Sequence, residues 1–501
     1  MTRRSLSPTE PLVERNQYRQ RGRIQSQIPD FEEVRPRLPV PLFPEDPGWE
    51  KLYWSAWDDL WGRFRLPPEG SSLIAGFTLP KPGGNIELST ATLVTQLSGY
   101  IPGTFSLIDF LDNFYAVQHD DGFICREVDS ETGEDLFYPF EPNSTGPNLL
   151  AFAEWRHFRL TGDKERIAEV FWPLIAYHRW CRANRTWPNG LYWTTGYASS
   201  LINQPRVPGG RYHHRHWAWI DASAQAALSC TLLERMAVLL GEQDLAEEVA
   251  AERAILHRAI TADMWNSATS FYHDVDRNGR FSSVKSIAAY WALMDGQLVP
   301  KERVAEFVQH LRDSWSFRVP HVLPSLSADS EAYNGRTGNG WRGAVWPSLT
   351  YMVLRGLKIA ENHMLAHQLA LNHVDTVCRV FESTGDFWEN YLPEAPGPAE
   401  PANVDQTGKT PSAVIAMLLE DVLGISVDWP LRQVTWRRYL ERERTYGVKN
   451  LPLGNEGTLD LLGDGETVHI RTDVPFTFTV YQGQDVVQTA MPAGDLELSL
   501  E

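Results

Sequence analysis

The sequence predicts a mainly helical protein, an (α/α)6 toroid followed by a small antiparallel β-module. Three observations carry this reading. Eleven or twelve helical patterns run along the chain, the linkers between alternate pairs are long and rich in Trp, Asn, Gly and Asp, and after about Leu431 the apolar spacing shortens to two. Helices that are apolar around most of their circumference would form the buried inner ring, and the long loops would gather at one end as a cleft.

Taken in order, residues 1–50 are rich in Pro, Arg and Glu without periodicity and predict an extended N-terminal arm. The toroid is expected over 51–430. Within it, the pattern from Asp163 to Asn184 puts Ile167, Val170, Phe171, Leu174 and Cys181 on one face after a Thr-Gly-Asp start that supplies an N-cap. A second helix ends at Gly241, a third follows from Leu245 to Met264, and others are expected over 88–118, 147–160, 301–313, 344–360, 363–382 and 411–423. In the module at 431–501, Thr467–Arg471, Phe476–Val480 and Leu496–Leu500 alternate apolar and polar residues between Gly, Asp and Pro breaks.

Composition narrows the function. A chain of 501 residues with 43% hydrophobic and 22% charged residues is globular and large enough for two or three domains or one large barrel with appendages. With 46 basic against 64 acidic residues and a net charge of −18, nucleic acid and anionic membranes are excluded as expected partners. There is no apolar run of about 18 residues and no apolar leader region, so a cytoplasmic location is expected. Cys125, Cys181, Cys230 and Cys378 lie far apart with no CxxC pair and read as buried reduced thiols. The 19 Trp exceed what packing usually asks, and flat apolar rings are what sugar faces stack on.

Several motifs reduce to ordinary structure. His273 to Gly279 imitates a calcium loop, but the twelfth position is Lys285 where a bidentate Glu is needed, so an Asx-rich turn is expected. His213, His214 and His216 crowd one loop without metal-ligand spacing and read as substrate-edge or surface histidines. There is no GxGxxG after a strand, no GxxxxGK(S/T) and no GxSxG elbow, and no cofactor or metal is expected. What remains are aromatic and polar segments in the long loops: Trp341, Arg342 and Trp346 at the mouth of a helix, Asp329 after Pro324-Ser325-Leu326, and Glu389 between Trp388 and Tyr391. Apolar walls with a few directed polar groups describe a pocket for a small polar ligand, and a Glu between aromatic rings suits acid–base work.

These segments together resemble the trehalase-like and mannosylglycerate-hydrolase-like (α/α)6 glycosidases grouped around glycoside hydrolase family sixty-three. The resemblance rests on Trp-Arg-Gly-Ala-Val-Trp at 341–346, Glu389-Asn390-Tyr391, Thr410-Pro411-Ser412-Ala413 and Asn203-Gln204-Pro205-Arg206, and covers about residues 50–425. It implies inverting hydrolysis of a small α-glycoside of glucoside or mannoside type. Glu389 would be the base, a carboxylic acid roughly 6.5–9.5 Å away the proton donor, and Trp341, Arg342, Trp346, Trp388, Tyr391, Asn203, Gln204, Arg206 and Asp329 the sugar-binding wall.

The chain departs from the pattern where the family's Ser-Gly-Met-Asp-Asn-Ser-Pro-Arg segment would supply the acid. Here it reads Ser199-Ser200-Leu201-Ile202-Asn203-Gln204-Pro205-Arg206, with Ile202 at the acid position. In the first long loop, where relatives carry Trp-Asp, the chain reads Leu88-Ser89-Thr90. Asp221, opening a helix after the altered loop, either caps that helix or faces the cleft as a displaced acid, ahead of Asp59, Asp109, Asp112 and Asp329. Three functions follow: a glycosidase with a displaced or missing acid, a lapsed toroid that still binds carbohydrate, and an enzyme that reuses the pocket for elimination, isomerisation or cyclisation. The sugar, its linkage and the oligomeric state are left open.

Overall fold

The computed structural model describes residues 8–79, 83–101, 103, 105–441 and 443–500, so the first seven residues of the expected arm lie outside it. Its centre is helical and its C-terminal part is β. The helix Lys164–Arg185 begins where the capping signal places it, with the Asp163 carboxylate accepting from Arg166 N at 2.9 Å. Ile220–Leu240 ends on Gly241, whose φ of 80° is the left-handed C-cap that favours glycine. Short turns join Leu150–Thr161 to Lys164–Arg185, Ile220–Leu240 to Gln243–Ala259, and Pro347–Ile359 to His363–Thr384, giving antiparallel helix pairs. Loops 186–219, 265–300, 310–346 and 385–408 alternate with them and contain only short strands and turns of 3-10 or irregular form, while the helix Lys301–Gln309 separates the second loop from the third.

Two of the helix expectations need correction. The pattern over 88–118 is broken into the helix Leu88–Val94, 3-10 turns at Thr95–Tyr100 and Leu107–Leu111, and the helix Asp112–Ala116. Gly99 sits where a Cβ would come within 2.5 Å of Leu160, and Gly103 takes φ 110°, so close packing and a turn interrupt the helix. Pro47–Trp61, absent from the expected helices, buries Leu52, Tyr53, Ala56, Trp57 and Leu60 and packs against the last helix, Lys409–Met417.

The β-part forms two sheets. One joins Val40–Leu42 to Tyr446–Leu453, Gly457–Asp464, Thr467–Thr472 and Gly494–Ser499, antiparallel throughout, and so takes a strand from the segment expected as an extended arm. The other orders Ile425–Asp428, Gln433–Arg438, Phe476–Gln482 and Asp485–Met491, and its central pair is parallel. An all-antiparallel module fails here because the chain crosses through the first sheet between those two strands, a connection long enough for parallel pairing. Buried side chains of both parts form one hydrophobic cluster. Trp436, fully buried, ties them together: its indole donates to Leu423 O at 2.8 Å and its ring meets Tyr446 edge-on. Trp436→Ala is expected to cost about 3–5 kcal/mol by leaving a cavity and an unmet carbonyl, read as a lower urea midpoint with the slope unchanged.

Candidate active site

Loops 186–219, 310–346 and 385–408 meet the segments around Glu87 and Glu127 at a cavity of about 340 Å³. Its aromatic lining is Trp341 and Trp346, stacked with ring centres 3.8 Å apart and 6° between planes, with Ile202. Its charged lining is Glu87, Glu127, Arg126 and Lys409, and Tyr197 joins this set, its ring centre 4.8 Å from the Arg126 guanidinium. The charged side follows from strand pairing. Asn85–Glu87 runs antiparallel to Glu127–Asp129 with Glu87 directly opposite Glu127, a like-charge pair that is unfavourable unless cations sit between. They do: Arg126 lies 3.2 Å from Glu87 and 3.0 Å from Glu127, and Lys409 Nζ lies 2.6 Å from Glu87. Burial pushes the Glu87 carboxyl up, but Lys409 and Arg126 outweigh it and bring its pKa down to about 2. Glu87 is therefore a fixed anion near neutral pH.

The aromatic side is built by backbone geometry and amides. Asn339 and Gly340 take φ of 41° and 62°, and Asn203 clamps that turn, accepting from Trp341 N at 2.8 Å and donating to Asn339 O at 2.8 Å. Gln204 donates to Ser325 O and Trp341 O, while its carbonyl accepts from Ser286. Asn203 and Gln204 thus hold the tryptophan loop and do not line the cavity. Arg342 donates to Asn203 O in the same clamp.

Glu389 stands beside the cavity, not in its wall. Its backbone pairs with Asn403, whose side-chain amide donates to Oε2 at 3.3 Å. Burial raises its pKa above the ordinary glutamate value; Asn403 and Lys409 oppose this, and the negative charges of Asp405 and Glu87 add to it. Glu87 and Lys409 thus act on the Glu389 carboxyl as well as lining the cavity. Thr410 fastens the segment by donating its hydroxyl to Trp388 O, and Asp405 accepts from the amides of Thr407, Gly408 and Thr410 at the start of the last helix.

Residues 111–400, more than half of the chain, match the sequence model described as the mannosylglycerate hydrolase MGH1-like glycoside hydrolase domain. The chain belongs to this family. Of the cavity residues, Arg126, Glu127, Ile202, Trp341 and Trp346 fall inside the matched span, as does Glu389, whereas Glu87 and Lys409 fall outside it. An uncharacterized protein of Borreliella burgdorferi is 24% identical, covering 76% of this chain and 81% of its own. A probable mannosyl-oligosaccharide glucosidase of Schizosaccharomyces pombe is 27% identical over 60% of this chain and 38% of its own length. Among solved structures, the GH63 mannosylglycerate hydrolase from Thermus thermophilus in complex with glucose superposes with a TM-score of 0.57 at 20% identity, covering 73% of this chain and 99% of that one, a likeness of fold.

Within this MGH1-like chain, several residues expected at the site serve the scaffold. Arg206 and Asp221 are buried and bound to each other through two hydrogen bonds of 2.8 and 3.0 Å, and Arg206 makes two more to Asp274. Asp221 is thus an ion-pair partner and N-terminal helix residue, not a free acid, because a donor so placed would have to break the Arg206 fork. Tyr391 is fully buried with its hydroxyl accepting from Trp388 N, and Trp388 donates its indole to Thr384. Asp329 pairs with Lys285 at 2.5 Å away from the cavity wall. Asp59 is held by Arg63, and Asp109 and Asp112 by Arg166. His213, His214 and His216 gather around Trp187 and Trp193, and Asp276 accepts from Asn278 N and Arg280 N in the expected turn. The four cysteines are buried and unpaired, and among the described residues no helix is long and apolar enough to cross a membrane.

Glu87, Arg126, Glu127, Tyr197 and Lys409 enter the site without a signal in the sequence. The departure at Leu88-Ser89-Thr90 lies one residue past the carboxylate that reaches the cavity. A folded pKa of about 2 against an ordinary 4.5 means that Glu87 contributes stability above pH 4.5 that is lost as pH falls through about 2. Glu87→Gln is expected to lower the melting temperature at pH 7 and to flatten its decline between about pH 4.5 and 2, measured by thermal unfolding across that range.

Proposed function

We propose that the cavity binds the glycosyl unit of a small α-glycoside, of glucoside or mannoside type, and that Glu389 is the base for inverting hydrolysis on an (α/α)6 toroid of about residues 51–430. The observation that carries this reading is the pairing of a stacked tryptophan face with a cluster of carboxylates and cations, with Glu389 beside it under their influence. A sugar ring is apolar on its faces and polar at its edge, so a Trp wall together with hydrogen-bonding charges suits it. In the proposed reaction Glu389 takes a proton from water as the water oxygen bonds to the anomeric carbon. The bond to the leaving oxygen breaks, and the leaving group departs as an anion and takes its proton from solvent.

Ile202 sharpens the proposal. It lines the cavity at the position where the resemblance expects a carboxylic acid, and Glu87, fixed as an anion, cannot donate in its stead. With Ile202 in place of that acid, alkoxide leaving groups should react slower by roughly 10²–10⁴-fold, and groups that leave as stable anions should react best. A second reading, a lapsed glycosidase that binds sugar without turning it over, is favoured by the same Ile202.

Assays of α-glucosyl and α-mannosyl fluorides beside the methyl glycosides separate the two. On the hydrolytic reading the wild type turns over a fluoride with inversion at least about 10²-fold faster than the matching methyl glycoside. Glu389→Gln should remove this activity, and Ile202→Asp should raise methyl glycoside turnover at acidic pH more than at neutral pH, because Arg126 and Lys409 favour the ionised form of a carboxyl in that wall. Binding of sugar with no turnover of any substrate would establish the lapsed reading.

A further inference from the structure

A second cavity, of about 520 Å³, opens at the far end of the helical part and shares no lining residue with the first. Two helices fix the separation. Pro347–Ile359 begins beside Trp346 of the first cavity and ends with Lys358 and Ile359 in the second, 13 residues or about 18 Å along its axis. The last helix starts with Lys409 at the first cavity, and Glu420, in the turn that continues it, lines the second.

The charge of this rear cavity runs against that of the chain. In a protein of net charge −18, it is lined by Arg156, Arg159, Arg235, Arg355 and Lys358 against Asp295 and Glu420. Asp421 and Asp428, behind or beside the wall, pair with Arg355, Lys358 and Arg159, and the cations still outnumber the carboxylates. Arg235 makes no ion pair among the described residues. Arg355 Nε and His363 Nδ1 are buried without a protein partner. The same excess shows in Lys358: burial and the neighbouring Arg355 and Arg156 bring its pKa down to about 7, against Asp421. Between the cations lie Trp155, Leu232 and Met294, an apolar flank beside the charge.

We propose that this rear cavity is a binding site for a small organic oxyanion, carboxylate or phosphate, separate from the glycoside site. An anion seated there would be met by Arg235 and Lys358, while its carbon skeleton covered the apolar flank.

Inorganic phosphate and citrate are the probes, with chloride at matched ionic strength as the control, followed by thermal unfolding and by titration calorimetry on the full chain. Phosphate or citrate is expected to raise the melting temperature by about 2–4 °C beyond chloride, and which of the two acts identifies the oxyanion. Arg235→Gln, at an exposed side chain that holds no pair, should keep the chloride melting temperature and weaken the anion about tenfold or more, and Lys358→Met should weaken it likewise. Glucose binding at the front cavity should be unchanged in both. Equal effects of all three salts, or wild-type anion affinity in Arg235→Gln, would overturn the proposal. If Lys358→Met does not fold, Arg235→Gln alone decides.

Discussion

One buried guanidinium holds the loops from which the candidate site is made. Arg206 is almost fully enclosed, lies over the Trp219 ring and divides its donors between Asp221 at the start of one helix and Asp274 in the next long loop. Asp274 also accepts from Ile220 N, and Arg206 O accepts from Ser282. Three charges out of water are tolerable when each guanidinium nitrogen meets a carboxylate, as all three do here, and removing one partner leaves the others stranded at a cost of about 3–5 kcal/mol. Because the fork is complete, the chain just before it is fixed as well: Asn203 and Gln204 reach the tryptophan turn, and Ile202 is set into the cavity wall. The position of the stacked rings is thus a consequence of an ion pair that lies outside the cavity.

The same logic explains which parts are legible in the sequence. Asp163 and Gly241 announce their helix ends because a cap is a local device, satisfied within four residues. The Trp341 and Trp346 pair is legible because the box is contiguous. Asp221 reads as a cap or a displaced acid because its partner Arg206 lies 15 residues away and Asp274, on the far side of that guanidinium, is 68 residues from Arg206, and no spacing rule reports a bridge of that kind. Glu87 escapes notice for a related reason. Nothing in the run Asn85-Ile86-Glu87 marks it as special until a strand from 127–129 pairs with it and brings Glu127, Arg126 and Lys409 to the same place. The break within 88–118 and the strand Val40–Leu42 are likewise decided by neighbours, Leu160 and Tyr446–Leu453, that local periodicity cannot see.

The two ends of the helical part differ in how their charges are balanced. At the front, two carboxylates meet two cations and the field is nearly closed. At the rear, carboxylates are shared among more cations than they can match, and burial together with the neighbouring Arg355 and Arg156 makes Lys358 hold its proton more weakly. A closed set suits a neutral polar guest, which exchanges hydrogen bonds without disturbing the balance. An open set favours a guest that brings negative charge with it.

On the proposed reading, closure of the front set also bears on chemistry. An acid at position 202 would need a proton held near neutral pH, which calls for negative or apolar surroundings. Arg126 and Lys409 work against that, as the low pKa of Glu87 shows. What they leave in place is a fixed anion in the cavity wall and a neighbouring carboxyl, Glu389, made more basic by burial and by that anion. A fixed negative charge stabilises positive charge developing at an anomeric carbon, and a more basic carboxylate takes a proton from water more readily. Both contributions assist a bond that breaks by itself, and neither protonates the departing oxygen. Ile202 and the cation pair therefore act in the same direction, toward substrates whose leaving group needs no proton.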